Sequence, residues 1–258
     1  MEILQQRRMD GIMVGSVFFD DPVVEGLVGA GYPCLMHNPR LRSRRGYRIV
    51  LDTVRASCDL TRHLIAPGHR RIGFVSGLPN ISTTSERLQG YRTALREAGR
   101  FTDSDLIRPG AFRAGTAQAA APDRLQRRRR PTAIVAGDDP MAPGVIRAAS
   151  NPGVRIPGEV AGVGFDGIEI AGHPPVQLTA MAQQTGEMGR LAALGILEVI
   201  RNRGRLADSP IPQVLAPTLV IRQTCGAGLQ AHAGGRPVNA HARSLRRRSP
   251  WAHDRNRS

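Results

Sequence analysis

The sequence predicts an α/β fold built on parallel sheets, and three observations carry the prediction. Between Gly11 and Arg222 short apolar runs alternate with amphipathic stretches, the order expected when parallel strands are joined by crossover helices. Ala56, Leu60 and Leu64 recur at i, i+4 and i+8 while Arg55, Asp59 and Arg62 lie on other faces, so one helical stripe packs inward. Pro67-Gly68 stops that helix, and the buried run Ile72-Gly73-Phe74-Val75 follows within a few residues. The pair reads as a β-α-β unit with a right-handed crossover.

The elements follow from local signals. Gly11-Ile12-Met13-Val14 is the first strand; Asp20-Asp21 then offers an N-cap with Pro22 at the first helical position, and the helix ends near Gly29 to Gly31. Pro33 to Met36 and Ile49 to Leu51 read as strands separated by the arginine-rich turn Arg40 to Arg45, after which Asp52 and Thr53 cap the striped helix. Ser85 to Ala98 is a helix ended by Gly99, with Tyr91 and Leu95 as packing residues at helical spacing. Ala133 to Ala136 and Val160 to Gly164 are strands flanking a helix at Met141 to Ala149. Gly186 to Ile200 is apolar on most sides and reads as a helix buried between layers.

Composition narrows the function classes. A chain of 258 residues with 41% hydrophobic content can form one large domain or two ordinary ones, and it has no apolar run of bilayer-spanning length. Without a visible secretory signal the expected location is cytoplasmic. Cys34, Cys58 and Cys225 are widely spaced and odd in number, which predicts buried thiols rather than disulfides or a zinc site. The net charge of +15 suggests nucleic acid at first sight. However, Arg127 to Arg130 and the seven arginines after Gly226, offset by Asp254 alone, supply ten of the fifteen excess charges. A solvated loop and a disordered basic tail at 227–258 account for them.

Enzyme and cofactor motifs fail on context. Gly162-Val163-Gly164-Phe165-Asp166-Gly167 matches G-x-G-x-x-G, but Pro174-Pro175 oppose the helix whose N-terminus would hold a pyrophosphate. Neither a phosphate-binding G-x-x-x-x-G-K-[ST] loop nor a G-x-S-x-G nucleophile elbow occurs. His63 and His69 straddle a helix-to-strand break and do not share a helical face, so no metal site and no cofactor are expected.

His63-Leu64-Ile65-Ala66-Pro67-Gly68-His69-Arg70-Arg71-Ile72-Gly73-Phe74-Val75-Ser76-Gly77 closely resembles the helix-to-strand crossover of the lac-repressor/galactose-repressor (LacI/GalR) family. Glu86-Arg87-Leu88-Gln89-Gly90-Tyr91-Arg92-Thr93-Ala94-Leu95 resembles E-R-L-x-G-Y-x-x-A-L, and Pro131 to Ala142 resembles P-T-A-I-x-A-x-N-D-x-M-A. Ile156 to Val160, Val163 to Asp166 and Leu178 to Gln183 continue the series in the same order, so the resemblance covers residues 8–226.

The resemblance implies two doubly wound parallel-sheet subdomains of periplasmic-binding-protein type, with a small effector, a sugar foremost, in the cleft between them. The N-terminal subdomain is expected at about 8–67 and 184–212 and the C-terminal one at about 68–183 and 213–226. Arg87 matches the arginine that holds sugar hydroxyls, Asp166 the effector-binding aspartate, Phe112 the aromatic against the pyranose ring and Gln183 a cleft glutamine. Asp138 takes the place of an asparagine, and Ser16 ends the first strand as a further candidate. The family implies a homodimeric, non-enzymatic transcription regulator. Its helix-turn-helix headpiece and the start of its core have no counterpart in the sequence, which resembles the family only from Arg8 onward. The N-terminal subdomain is therefore expected to be truncated, and specific operator binding is expected to need a headpiece this chain does not carry. The alternative reading is a sugar-binding protein of a transport system, which shares the fold but needs an export signal.

Overall fold

The computed structural model describes residues 9–15, 18, 20–37, 47–120, 130–151, 153–174, 176–201 and 213–227. The chain opens with β1 (Ile12–Gly15), α1 (Pro22–Gly29), β2 (Cys34–His37) and β3 (Tyr47–Leu51). Helix α2 (Thr53–Ile65) leads to β4 (Ile72–Ser76), α3 (Ser82–Glu97), β5 (Ile107–Pro109) and α4 (Ala114–Ala120). Then come β6 (Ala133–Ala136), α5 (Ala142–Ser150), β7 (Ala161–Asp166) and β8 (Thr179–Ala182), followed by α6 (Thr185–Arg201), β9 (Gln213–Leu215) and β10 (Thr218–Val220).

These strands form two sheets. The first is parallel, in the order β1-β2-β3-β9; the second runs β10-β8-β7-β6-β4-β5 and is parallel except for β10, which pairs antiparallel with β8. Alternation along β2 divides the first sheet's packing. Cys34 and Met36 meet Val24, Leu27 and Val28 of α1, whereas Leu35 meets Ile196 and its neighbours on α6. The predicted cap of α1 is present, with Asp21 accepting from the Val23 amide at 2.9 Å and Pro22 at the first helical position. All three cysteines are free and buried.

The β-α-β expectation around α2 is corrected, because β3 and β4 lie in different sheets. The inward stripe of α2 exists, but Ala56, Leu60 and Leu64 pack with Ile72, Phe74 and Tyr91 of the second unit. The chain therefore crosses between units at Asp52 rather than near residue 67. The expected return at 212/213 also shifts: β9 still belongs to the first sheet, and the Leu215 carbonyl accepts from the Asp52 amide at 2.9 Å. Helix α6 is not buried between layers either. It covers one sheet face through Gly195, Ile196 and Val199 and leaves Leu194 and Leu197 about half exposed.

The arginine-rich turn 40–45, Arg127 to Arg129 and residues 228–258 lie outside the described residues. The G-x-G-x-x-G segment is followed by a four-residue 3-10 turn, Glu169–Gly172.

Candidate functional site

Most of the predicted site residues converge on the carboxyl ends of the second sheet, where open α/β sheets receive ligands. Four strand ends meet there: Gly77 follows β4, Gly137 to Asp139 follow β6, Asp166 closes β7 and Gln183 follows β8. Helix α3 delivers Arg87 to the same place. Its position is set by close approach to α2, since a Cβ on Gly90 would lie 2.2 Å from the Val54 carbonyl oxygen. The Ser57 hydroxyl on α2 also donates to the Arg87 carbonyl at 2.6 Å.

The Arg87 side chain is 7% exposed and serves three neighbours. Nη2 donates to Asp166 Oδ1 at 2.7 Å, Nη1 donates to the Gly137 carbonyl, and the guanidinium carbon lies 4.0 Å from the centroid of the Phe165 ring. Its Nε is buried without a partner. Gln183 Nε2 donates to the same Asp166 oxygen, and the Gln183 amide donates to the Asp166 carbonyl at 2.9 Å. Asp166 holds a φ of 115° and is followed by Gly167 at 69°, where a Cβ would lie 2.4 Å from that of Ala182. The loop is a tight fit that fixes the carboxylate.

Two more carboxylates flank this network. Asp138 is 6% exposed and accepts from the Met141 amide at 2.9 Å. Burial pushes its carboxyl up to about 6; the Met141 amide opposes that, and Asp166 adds to it. Asp139 ties two strand ends together, because its amide donates to the Phe165 carbonyl at 2.7 Å while its Oδ2 accepts from the Ile168 amide at 2.9 Å. Its Oδ1 is buried without a partner, and burial raises this carboxyl to about 7. Burial also raises Asp166, against the lowering effect of Arg87.

Phe112 sits on the rim. Ala111 and Phe112 adopt φ values of 51° and 57°, and the ring lies so close over Gly77 that a Cβ there would be 1.9 Å from Cζ. Gly77 in turn abuts Gly137, whose carbonyl binds Arg87: a Cβ on Gly137 would lie 3.5 Å from the Gly77 amide nitrogen. The structure thus brings Arg87, Asp166 and Gln183 into direct contact, sets Asp138 beside them and Phe112 one residue away. Ser16 lies outside the described residues.

Sequence reasoning missed Asp139 and Phe165. An acid pair directly after a buried strand was the available signal for Asp139, because a carboxylate at that point is half enclosed by its neighbours. Phe165 had no such signal, since its ring position depends on where α3 sends Arg87. Among the described residues no group of His, Cys, Asp and Glu side chains could hold a metal ion, and no helix is long and apolar enough to cross a membrane. The arrangement offers acceptors for hydroxyl and ammonium protons, one guanidinium fork and an aromatic face.

Comparison with known proteins bears on the family and the fold. Residues 61–225 match a family described as periplasmic binding protein-like domain. The chain is 31% identical over 224 residues to the HTH-type transcriptional regulator CelR of Thermobifida fusca, covering 86% of this chain and 65% of the regulator. It is 30% identical over 204 residues to the HTH-type transcriptional repressor PurR of Vibrio atlanticus (strain LGP32), covering 79% of this chain and 61% of the repressor. The chain therefore spans somewhat less than two thirds of these relatives. Among solved structures, a transcriptional regulator CelR–cellobiose complex superposes with a TM-score of 0.78 at 32% identity, over 86% of this chain and 68% of that one. A regulatory protein of the LacI family from Chloroflexus aggregans gives 0.77 at 26% identity, over 87% and 80%.

Proposed function

Because the chain belongs to the LacI family of transcriptional regulators, whose periplasmic-binding-protein-like domain it carries, we propose that it senses a small polyhydroxylated effector, a sugar foremost. The carrying observation is the buried network of Arg87, Asp166 and Gln183 at the strand ends of the second sheet. In this reading Asp166 accepts two hydroxyl protons and Arg87 presents its fork to adjacent sugar oxygens. Phe112 lies against the apolar face of the ring, Asp138 and Gln183 contribute from the sides, and Ser16 is a further candidate. The chain performs no chemistry on the effector. It changes the population of cleft conformations, and a homodimer in the cytoplasm passes that change to DNA through a headpiece.

The experiment is a thermal-shift panel of mono- and disaccharides, with cellobiose included because a similar regulator is known in complex with it. An effector that binds only the folded state raises the melting temperature by mass action. Arg87→Ala should remove most of that rise, and Asp166→Asn should reduce it. A panel without any rise in the wild-type chain would count against a sugar sensor. Turnover of any sugar would count against a non-enzymatic one.

A further inference from the structure

We propose that the effector carries a protonated amine beside its hydroxyls, as an amino sugar does, and that Asp138 is the side chain that selects it; this rests on the effector-sensing reading above. The argument begins with charge. Three carboxylates, Asp138, Asp139 and Asp166, crowd the strand ends, and among the described residues Arg87 is the cation that acts on Asp138 and Asp166. Arg87 is already committed to Asp166 through Nη2 and to the Gly137 carbonyl through Nη1. Asp139 is turned inward: Oδ2 is held by the Ile168 amide, and Oδ1 lies against Gly164 beside Leu178, where a Cβ on that glycine would approach to 2.3 Å. Asp138 remains, and among the described residues its one donor is the Met141 amide.

Asp138 is thus a carboxylate 6% exposed that forms no ion pair among the described residues, the nearby Arg87 charge being paired with Asp166. A neutral sugar hydroxyl can donate to it but leaves the charge uncompensated, whereas an ammonium brings up to three donors and the missing positive charge. The family asparagine in the resembling motif would discriminate in the other direction, since an amide offers an ammonium no charge. The hydroxyl part of the ligand follows from a second observation. Arg87 Nε is buried without a partner, and a hydroxyl oxygen brought beside it would supply the acceptor it lacks, which an ammonium could not. A donor cation together with an acceptor hydroxyl is the pattern of an amino sugar. The groups facing Asp138 are Arg87 from α3, Asp166 from the end of β7 and Asp139 from its own loop. With its carboxyl near 6, Asp138 is mostly ionised at neutral pH and loses its charge in mild acid.

The test is calorimetric titration of the full chain with glucosamine and the disaccharide of glucosamine, against glucose and cellobiose. At about pH 7.5 the amines should bind ~10- to 100-fold more tightly than their neutral counterparts, the range expected for a charged hydrogen bond out of solvent. Asp138→Asn should abolish that preference while keeping cooperative thermal unfolding, and Asp138→Glu should restore part of it. Lowering the solution to about pH 5 should weaken the amines and spare the neutral sugars. Neutral sugars binding as tightly as the amines would overturn the inference and leave the sugar-sensor reading standing. Retention of the preference in Asp138→Asn would overturn it as well. If neither class binds, the sensor reading falls and this inference with it.

Discussion

Gly90→Ala is the most discriminating single substitution for the packing that delivers Arg87. A Cβ at this position would lie 2.2 Å from the Val54 carbonyl oxygen, 2.8 Å from the Cys58 amide nitrogen and 2.8 Å from the Ser57 Cβ. Two of those three neighbours are backbone atoms of α2, so no rotamer can relieve the contact. A comfortable carbon–oxygen approach is about 3.3 Å, so the helices must part by roughly 1 Å, a gap that forfeits a quarter to a half of each dispersion contact across the interface. Overpacking of this kind costs ~1–3 kcal/mol, and separation also strains the 2.6 Å bond from the Ser57 hydroxyl to the Arg87 carbonyl, worth about 1 kcal/mol. Alanine in place of glycine in a helix returns about 1 kcal/mol. The net expectation is a loss of ~2 kcal/mol, read in urea as a midpoint lower by roughly 1 M at unchanged slope. The matched control is Gly26→Ala in α1, where a Cβ meets nothing within 4 Å and the propensity gain stands alone. Equal effects of the two substitutions, or an unchanged midpoint for Gly90→Ala, would refute the close-approach argument.

Three further outcomes follow from particular contacts. Asp138 and Asp139 rise from 3.8 to about 6 and about 7, so the unfolded chain binds fewer protons than the folded one across that window, and their contribution to stability falls as pH rises from about 4 to 7. Asp139→Asn keeps an acceptor for the Ile168 amide and should flatten the urea midpoint against pH; its gain near neutrality should be ~2 kcal/mol, part of the full displacement being offset by a buried amide hydrogen. Gly77→Ala places a Cβ 1.9 Å from Phe112 Cζ and must expel the ring, so the thermal shift from the strongest sugar should shrink as much as in Phe112→Leu. A full shift in Gly77→Ala would separate Phe112 from the site. Tyr91→Phe removes a fully buried hydroxyl that donates to the Ile72 carbonyl at 2.7 Å, and should cost ~1–2 kcal/mol in urea unfolding; a stability change within the error of the measurement would mean the bond contributes nothing net.

The two parts of the fold differed in how legible they were. Strands β4, β6 and β7 were readable because each is a short run of buried residues between turn signals, and a run with both faces covered carries its own evidence. The caps Asp21 and Asp52 were readable because a side-chain oxygen reaching an amide two or three residues on is a local event. Which sheet a strand joins is not local. Helix α2 carries the same inward stripe whether it packs on the first sheet or the second, and contacts distant in sequence, the glycine notch at Gly90 on α3 among them, decide the matter. The same limit explains α6: its apolar residues surround the helix, while burial on one face is set by a sheet whose strands come from four separate stretches of chain. At the candidate site, Arg87, Asp166 and Gln183 were proposed through motif resemblance. Their convergence on one carboxylate oxygen depends on two strand ends and a helix that no spacing rule connects.

The second unit concentrates its departures from ordinary packing at those same strand ends. Three of the five described non-glycine residues with positive φ, Ala111, Phe112 and Asp166, are there. So are two of the five buried polar atoms without partners, Arg87 Nε and Asp139 Oδ1, and both carboxyls that burial lifts to about 6 and 7. Elsewhere in this unit departures are sparser, Thr84 Oγ1 without a partner and Gln177 at positive φ among them: Ser57 reaches the Arg87 carbonyl across the α2–α3 interface, Thr61 bonds within α2, Tyr91 finds a carbonyl, and the faces of the sheet are filled by Phe74, Phe165 and Leu178. Each departure lowers stability, since strained backbone, orphaned polar atoms and desolvated charge all favour unfolding. A ligand of the kind proposed above, donating to Asp138 and accepting from Arg87, would reverse two of these terms at once. Stability lost in the empty state and recovered on binding is then a single quantity, and the size of the thermal shift should track how many of these unsatisfied groups a given effector engages.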